Sequence, residues 1–499
     1  MKHKLLFARA YEKEAAALIP EDARPLFHLT PYTGWMNDPN GFSFYQGKFH
    51  LFYQYYPYET EWDDMHWGHA ISTDLLHWTY LPAAMAPDKP YDDFGCFSGS
   101  AIEMPDGKQL LLYTGVRKEG GEGKKDIQTQ CIAIGDGLNY KKYAHNPVLD
   151  EHALPEGCDY HNFRDPKIWK TETGYRCVIG TCDADTLGKI LLYSSPDGIH
   201  WQFESILIEN DGRLGLMWEC PDFFPLDGKH VLLVSPQDML PERFEYHNGN
   251  GTACLIGHFD EQEKRFIPEF DQAVDYGIDF YAPTTMLTPD GRRVMIGWMQ
   301  NWDTTKLSSL REFKWFGQMT LPRELSIQNG RLYQRPVREL EKLRKNPVTH
   351  KDIVVDGVVR LPGVQGRTVD MEITLRPVPD APLYHKFTIR FMENEQFYTR
   401  LSYRTHESVL RIDRKFSGSR RAYIHQRRCE VPFQNGEIKL RIILDRFSAE
   451  VFINDGAQTM TATVFTDLSA HDISFNSDGK VLMDIIKYDL LMEENHETL

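Results

Sequence analysis

Asn37-Asp38-Pro39-Asn40, then Gly47, then the apolar run Phe49 to Gln54: this chain uses the pattern five times. The second copy is Cys96-Phe97-Ser98-Gly99, Gly107 and Leu110 to Thr114, and the third Phe163-Arg164-Asp165-Pro166, Gly174 and Cys177 to Thr181. The fourth is Glu219-Cys220-Pro221-Asp222, Gly228 and Val231 to Ser235, and the fifth Phe280-Tyr281-Ala282-Pro283, Gly291 and Val294 to Trp298. The glycines stand 60, 67, 54 and 63 residues apart. A second marker, Leu76-His77-Trp78, Leu138-Asn139-Tyr140 and Ile199-His200-Trp201, recurs at intervals of 62 and 61 residues. In the first unit, short runs rich in Phe, Tyr and Ile at about 41–45, 48–54, 66–73 and 77–85 are bounded by Gly, Asp and polar turns, which is a strand signal. Four strands per unit, repeated radially, predict a β-propeller. Five units over residues 28–335 predict five blades.

The first strand of each blade lies nearest the propeller axis, so residues at its leading edge converge. Counting back nine from each glycine reaches Asp38, Ser98, Asp165, Glu219 and Ala282, with Tyr281 one residue further. A single Asp beside a proline turn is accounted for by turn chemistry. Three carboxylates in one register of a radial repeat call for a shared pocket.

Outside the repeat, residues 1–27 read as an amphipathic helical extension, because Arg9, Glu12, Lys13 and Glu14 interrupt the apolar stretch a secretory signal would need. Residues 336–346 read as a helical linker. Residues 347–499 alternate apolar with polar, as in Phe387-Thr388-Ile389-Arg390-Phe391, with turns at Asn394-Glu395, Ser417-Gly418, Asn435-Gly436 and Asn454-Asp455-Gly456, and predict a β-sandwich. The expected fold is therefore all-β, a five-bladed propeller followed by a C-terminal sandwich that takes no part in catalysis.

The 499 residues carry a net charge of −16, which speaks against nucleic acid or an anionic membrane as partner. No apolar run reaches the 18 or so residues of a membrane span. Eight dispersed cysteines without a CxxC pair read as free thiols in a cytoplasmic protein. Self-association into a homo-oligomer is left open. No cofactor is expected, and no metal: His66 and His69 lie three apart on a strand and point to opposite faces.

A ring of carboxylates with aromatic neighbours suits a neutral polyol. Trp35, Trp62, Trp67, Trp298, Gln54 and Asn37 fall near the expected axis, Trp62 in the polar loop Glu59 to Asp64. Two carboxyls flanking a scissile bond are what glycoside hydrolysis requires, one ionised and one protonated, and crowding of like charges raises one pKa of the group. The less polar local sequence of Glu219, beside Trp218 and Cys220, makes it the better acid. Asn37 and Asn40 flank Asp38 and are expected to keep it ionised.

Trp35-Met36-Asn37-Asp38-Pro39-Asn40-Gly41, Phe97-Ser98-Gly99-Ser100, Arg164-Asp165-Pro166 and Trp218-Glu219-Cys220-Pro221-Asp222 resemble, in order, the motifs of glycoside hydrolase family 32, the family of invertases, sucrose-6-phosphate hydrolases and fructan hydrolases. Arg446-Phe447-Ser448-Ala449-Glu450-Val451-Phe452 resembles its sandwich domain. The resemblance implies a five-bladed propeller with a sandwich. It also implies that Asp38 is the nucleophile, Glu219 the general acid/base, and Asp165 a stabiliser that binds fructosyl hydroxyls with Arg164. Asn37, Gln54, Trp62, Phe97, Ser98 and Tyr281 match its sugar-binding positions. The expected activity is that of a retaining β-fructofuranosidase acting on sucrose or sucrose 6-phosphate through a covalent fructosyl-enzyme. An exo-acting fructan hydrolase or a fructosyltransferase is the alternative within the class. A propeller that only binds carbohydrate is the rival from outside it, and the Asp38–Glu219 pair counts against that. For a phosphorylated substrate, Lys306, Arg311 and Lys314 offer a basic patch near the fifth blade.

Overall fold

The computed structural model describes residues 4–118, 125–305, 313–418, 424–432 and 437–492. Lys306, Arg311 and the turn at Asn435-Gly436 lie outside them.

The five motif segments lie on the first strands of five blades, each of four antiparallel strands, the first sheet gaining a short fifth strand in parallel. Blade one comprises Gly34–Tyr45, Lys48–Tyr56, His66–Ser72 and Trp78–Met85; blade two, Gly95–Glu103, Gln109–Lys118, Asp126–Gly135 and Tyr140–Lys142. Blade three comprises Arg164–Thr171, Gly174–Cys182, Gly188–Ser195 and Gln202–Glu209; blade four, Trp218–Leu226, Lys229–Pro236, Ala253–Asp260 and Arg265–Ala273. Blade five is Tyr281–Leu287, Arg293–Trp298, Arg323–Gln328 and Arg331–Pro336, its third strand reached only after a long excursion. The first strands contact one another in sequence and the fifth returns to the first, closing the ring. Part of the excursion, Trp315–Phe316, pairs in parallel with Gly34 and Trp35 at the closure.

Second strands such as Phe49 to Tyr56 and Leu110 to Val116 are buried on both faces, which is why they read as continuous apolar runs rather than alternating ones. Four of the five marker glycines (Gly47, Gly107, Gly228 and Gly291) sit in hairpin turns at φ +77° to +85° with open space where a Cβ would be, so backbone conformation alone selects them. Gly174 differs. It opens its strand after the turn, and a Cβ there would lie 2.3 Å from the Ser195 carbonyl.

The hairpins therefore do not place their glycines alike, and the count of nine needs correcting: the level residues Arg164, Glu219 and Tyr281 precede their glycines by 10, 9 and 10 residues. Each first strand carries a bulge where two residues oppose one, or three steps oppose two. The inserted residues are Asn37-Asp38, Ser98, Asp165-Pro166, Cys220-Pro221 and Ala282-Pro283. Strand pairing sets Glu219 level with Arg164 and Tyr281, facing Ser235, Gly180 and Trp298 respectively. Asp165 is level with Cys220 and Ala282, and these three share a left-handed backbone, φ +65°, +48° and +48°. The motif residues therefore lie inside their strands, at bulges that re-aim side chains toward the axis, and not ahead of the strands.

The N-terminal extension forms the helix Leu5–Ala16 against blade one, with Arg9 Nε donating to the Ala83 carbonyl and Glu12 accepting from the Ala83 amide. The expected linker is one 3-10 segment, Arg338–Leu343, and a strand, Arg344–Val359, runs on from it directly. In the C-terminal part, the 19-residue strand Asp472–Leu490 pairs with Lys386–Glu393 through its first half and with Val369–Pro377 through its second. It thereby belongs to both sheets of a sandwich whose inner faces, Phe387, Ile389, Ile412 and Phe475 with Ile373, Ile442, Val451 and Met460, form one core.

The edge strand Gln458–Thr463 docks on the propeller, where the amides of Tyr276 and Ile278 donate to the carbonyls of Thr459 and Thr461. Around it lies a fully buried ionic network. Arg323 is 2.5 Å from Glu450 and 3.1 Å from Asp275, and Arg414 is 2.5 Å from Asp279. His28 bridges Asp445 (2.7 Å) and Glu450 (2.8 Å). Burial alone would lower its pKa, but the two carboxylates raise it to about 9, so the imidazolium is a structural cation.

Candidate active site

The bulges of blades one, three and four bring Asp38, Asp165 and Glu219 together, with Cys220 between them. Its thiol lies 3.5 Å from Asp38 Oδ2 and 3.6 Å from Asp165 Oδ2, and its amide donates to Asp165 Oδ2 at 2.9 Å. Asp38 accepts from Ser98 Oγ (2.9 Å) and from Asn37 Nδ2 (3.1 Å), whose own oxygen is held by Trp35 Nε1 at 2.8 Å. Arg164 donates from Nε and Nη2 to Glu219 Oε1, at 3.1 and 3.0 Å. The Tyr281 hydroxyl sits 2.5 Å from Glu219 Oε2. Arg164 is itself braced by Asn162 (2.9 Å) and Gln128 (3.4 Å), and the Asp165 amide donates to Thr114 Oγ1 (3.0 Å).

Electrostatics follow from this crowding. Burial, then repulsion from Glu219, pushes Asp38 up to about 6 despite its three hydrogen bonds. Burial also raises Asp165; Arg164 opposes the rise, and the charges of Glu219 and Asp38 add to it. Among the described residues one cation, Arg164, faces the three acids, so near neutrality the cluster retains protons. Such a group can supply both an ionised carboxylate and a protonated one to a single bond.

Three expectations need correcting. Trp298 does not line the site: it is fully buried, packed between Trp35 (5.9 Å) and Trp302 (5.0 Å), and supports the floor. Glu219 owes its environment to Arg164 and Tyr281, not to dry neighbours. On a strand the adjacent Trp218 points the other way, into the apolar core, with its Nε1 donating to the Leu214 carbonyl. Of the two amides flanking Asp38 only Asn37 donates to it. The Asn40 amide, oriented to satisfy its neighbours, accepts from Gln54 Nε2 at 3.0 Å.

The other expected residues surround the acids. Gln54 is buried and donates to the Cys96 carbonyl at 3.0 Å, bracing the strand that carries Phe97 and Ser98. Trp62 and Phe97 are half-buried and meet edge to face at 5.9 Å, forming an aromatic side to the site. Lys314 is exposed, and its carbonyl accepts from the Gly34 amide at the ring closure. His69 pairs with His50 (3.0 Å) and stacks on Phe52, whereas His66 meets the Asp64 carbonyl, so the two histidines serve different neighbours. Among the described residues no group of three or more His, Cys, Asp or Glu side chains is disposed to hold a metal ion. Sequence reasoning passed over Cys220, Thr114, Gln128 and Trp302. Only Cys220 left a signal, as the residue between an acid and a proline at the bulge.

A model described as the glycosyl hydrolases family 32 N-terminal domain matches residues 28–336, and the family 32 C-terminal model matches residues 339–489. A raffinose invertase of Escherichia coli is 37% identical over 484 residues, covering 95% of this chain and 96% of its own. A sucrose-6-phosphate hydrolase of Escherichia coli is 36% identical over 461 residues, 90% of this chain and 91% of that one. The solved structure of a family 32 β-fructofuranosidase from Bombyx mori shares 34% identity, covers 97% of both chains and aligns with a TM-score of 0.83; a mutant of it has been solved in complex with sucrose. With both models matched in order along nearly its whole length, the chain belongs to glycoside hydrolase family 32.

Proposed function

We propose that this chain is a retaining β-fructofuranosidase that hydrolyses the fructosyl bond of sucrose or sucrose 6-phosphate. The observation that carries the reading is the convergence of Asp38 and Asp165 on the Cys220 thiol, with the neighbouring Glu219 clamped by Arg164 and Tyr281. The names of the relatives support the substrate class without choosing between the two sugars, because a raffinose invertase and a sucrose-6-phosphate hydrolase are almost equally similar.

Asp38 attacks the anomeric carbon while Glu219 protonates the leaving oxygen, and the fructosyl group passes to Asp38 as an ester. Ser98 and Asn37 fix the carboxylate for in-line approach. Asp165, anchored through Oδ2 to the Cys220 amide, presents its other oxygen to the fructosyl hydroxyls and opposes the charge of the oxocarbenium-like transition state. Trp62 and Phe97 supply an apolar wall for the sugar ring. Water then attacks the ester with Glu219 as base.

The test is the anomer of freshly released fructose, observed by NMR. β-Furanose from a β-linked substrate is expected, and α-furanose would mean inversion and defeat the assignment of Asp38 as nucleophile. A parallel kcat/KM series on sucrose, sucrose 6-phosphate, kestose and inulin ranks the leaving groups.

A further inference from the structure

On the far side of the bulges a second charged pair joins blades three, four and five. Lys167 Nζ lies 2.8 Å from Asp222 Oδ2 and donates to Thr284 Oγ1 (2.8 Å) and the Thr285 carbonyl (2.6 Å). The Thr285 amide donates to the same Asp222 oxygen at 2.6 Å. The side chains of Lys167 and Asp222 are only 14% and 2% exposed. All three positions hold one rank: Lys167, Asp222 and Thr284 are where regular pairing resumes after each bulge, opposite Val178, Leu233 and Ile296. In the same strands, across the bulge, stand Arg164 with Asp165, Glu219, and Tyr281.

The strands are not held equally. That of Asp165 is also pinned to blade two, because Ser100 Oγ donates to the Pro166 carbonyl (2.7 Å) and accepts from the Ile168 amide (2.9 Å), while Thr114 accepts from Asp165 itself. At this rank the strand of Glu219 is held by Asp222, whose carboxylate meets Lys167 and the Thr285 amide. Taking away the ammonium would leave the buried Asp222 carboxylate with one hydrogen bond and with the Arg293 guanidinium as its neighbouring cation, and the strand would shift toward Arg293 or water to replace the lost donor.

We propose that Lys167 is a positioning residue for Glu219: by neutralising and gripping Asp222 it sets the height at which the blade-four bulge presents Glu219 to the leaving oxygen. This rests on the reading of Glu219 as the proton donor. Lys167 touches no substrate, and it acts through Asp222 and the backbone of three residues.

The experiment compares Lys167→Met, Lys167→Arg and the double variant Lys167→Met/Asp222→Asn, which removes both charges of the pair and whose amide oxygen still accepts from Thr285. Each is assayed on sucrose and on β-fructofuranosyl fluoride, whose leaving group needs no proton. Lys167→Met should lose about 10- to 100-fold in kcat on sucrose, the usual penalty for a misplacement on the order of 1 Å, with KM within about twofold and the loss on the fluoride only a few-fold. Lys167→Arg should recover part of it. The double variant should melt close to the wild type yet keep the sucrose defect, which separates positioning from folding. A folded double variant with wild-type kcat on sucrose, or an equal loss on both substrates, would overturn the proposal. Glu219→Gln run alongside keeps the two readings apart, since full activity there would sink the role of Glu219 itself.

Discussion

Replacing Asp38 by Asn should make the protein more stable as well as inactive. In the folded state Asp38 titrates at about 6 instead of its ordinary 3.8, because burial and the Glu219 charge disfavour its ionised form. A carboxyl raised by folding binds its proton more tightly in the native state, so its ionisation subtracts from stability as pH climbs from about 4 through 6. At ~1.4 kcal/mol per tenfold change in proton affinity this amounts to about 3 kcal/mol by pH 8. The substitution removes that cost but turns an amide nitrogen toward Ser98 Oγ and Cys220 Sγ. Both groups can rotate to accept, while the amide oxygen keeps the Asn37 bond, and the loss of charge-assisted bonds is worth about 1 kcal/mol. The net gain is about 2 kcal/mol. A chain of this length that unfolds as one unit has an unfolding entropy near 1 kcal/mol per degree, so Tm should rise about 2 °C. Thermal melts of both proteins, followed by far-UV circular dichroism from pH 4 to 8, provide the check. The gap should be widest at pH 8 and close toward pH 4. A variant that melts below the wild type at pH 8, or a gap independent of pH, would refute the reasoning.

Three further outcomes are expected. Glu219→Gln should lower kcat/KM on sucrose by about 10²–10⁴, the share of general acid–base catalysis, and by much less on β-fructofuranosyl fluoride; equal losses on both would argue against a proton-donor role. His28 has its pKa raised to about 9 against the normal 6.5, so its contribution of about 3 kcal/mol is complete below pH 6.5 and disappears as pH rises through 9. His28→Gln should therefore lower Tm at pH 7 and flatten the alkaline decline seen in wild-type melts, and an unchanged pH profile would contradict the imidazolium bridge. If sucrose 6-phosphate is the better substrate, its kcat/KM should exceed that of sucrose and fall with added salt; equal values at low and high salt leave the neutral sugar preferred.

Blade number and the convergence of the acids were legible because both depend on features the repeat must preserve: a φ-positive turn residue and a short polar segment ahead of an apolar strand. What pairing does between them was not. The bulges of blades three, four and five are equal, but the marker glycine lies seven residues after pairing resumes in blades three and five and six in blade four, so the count placed Glu219 level with Asp165, whereas the strands place it level with Arg164 and Tyr281. That shift of one position explains why Glu219 meets a guanidinium and a phenol. Trp298 failed for a related reason: its offset from the glycine matches that of Gln54, but Trp35 and Trp302 cover it. In the sandwich, alternation revealed the strands but not that Asp472–Leu490 serves both sheets, since a strand that changes partners midway looks like any long strand.

The bulges also explain why a crowded cluster of acids persists. Asp165, Cys220 and Ala282 each hold a left-handed backbone that costs a non-glycine residue on the order of 1 kcal/mol or more, and the acids repel one another at neutral pH. Neither burden can relax locally, because every bulge is bounded by ladder pairs on both sides and the ring closes on itself through Trp315 and Phe316. The ring therefore holds the three carboxylates so close that burial and the Glu219 charge lift Asp38 to about 6, while Arg164 and Tyr281 grip the two oxygens of Glu219. Under the proposed mechanism that gripped carboxyl faces the leaving oxygen in the first half-reaction and the incoming water in the second, so one rigid placement serves both steps.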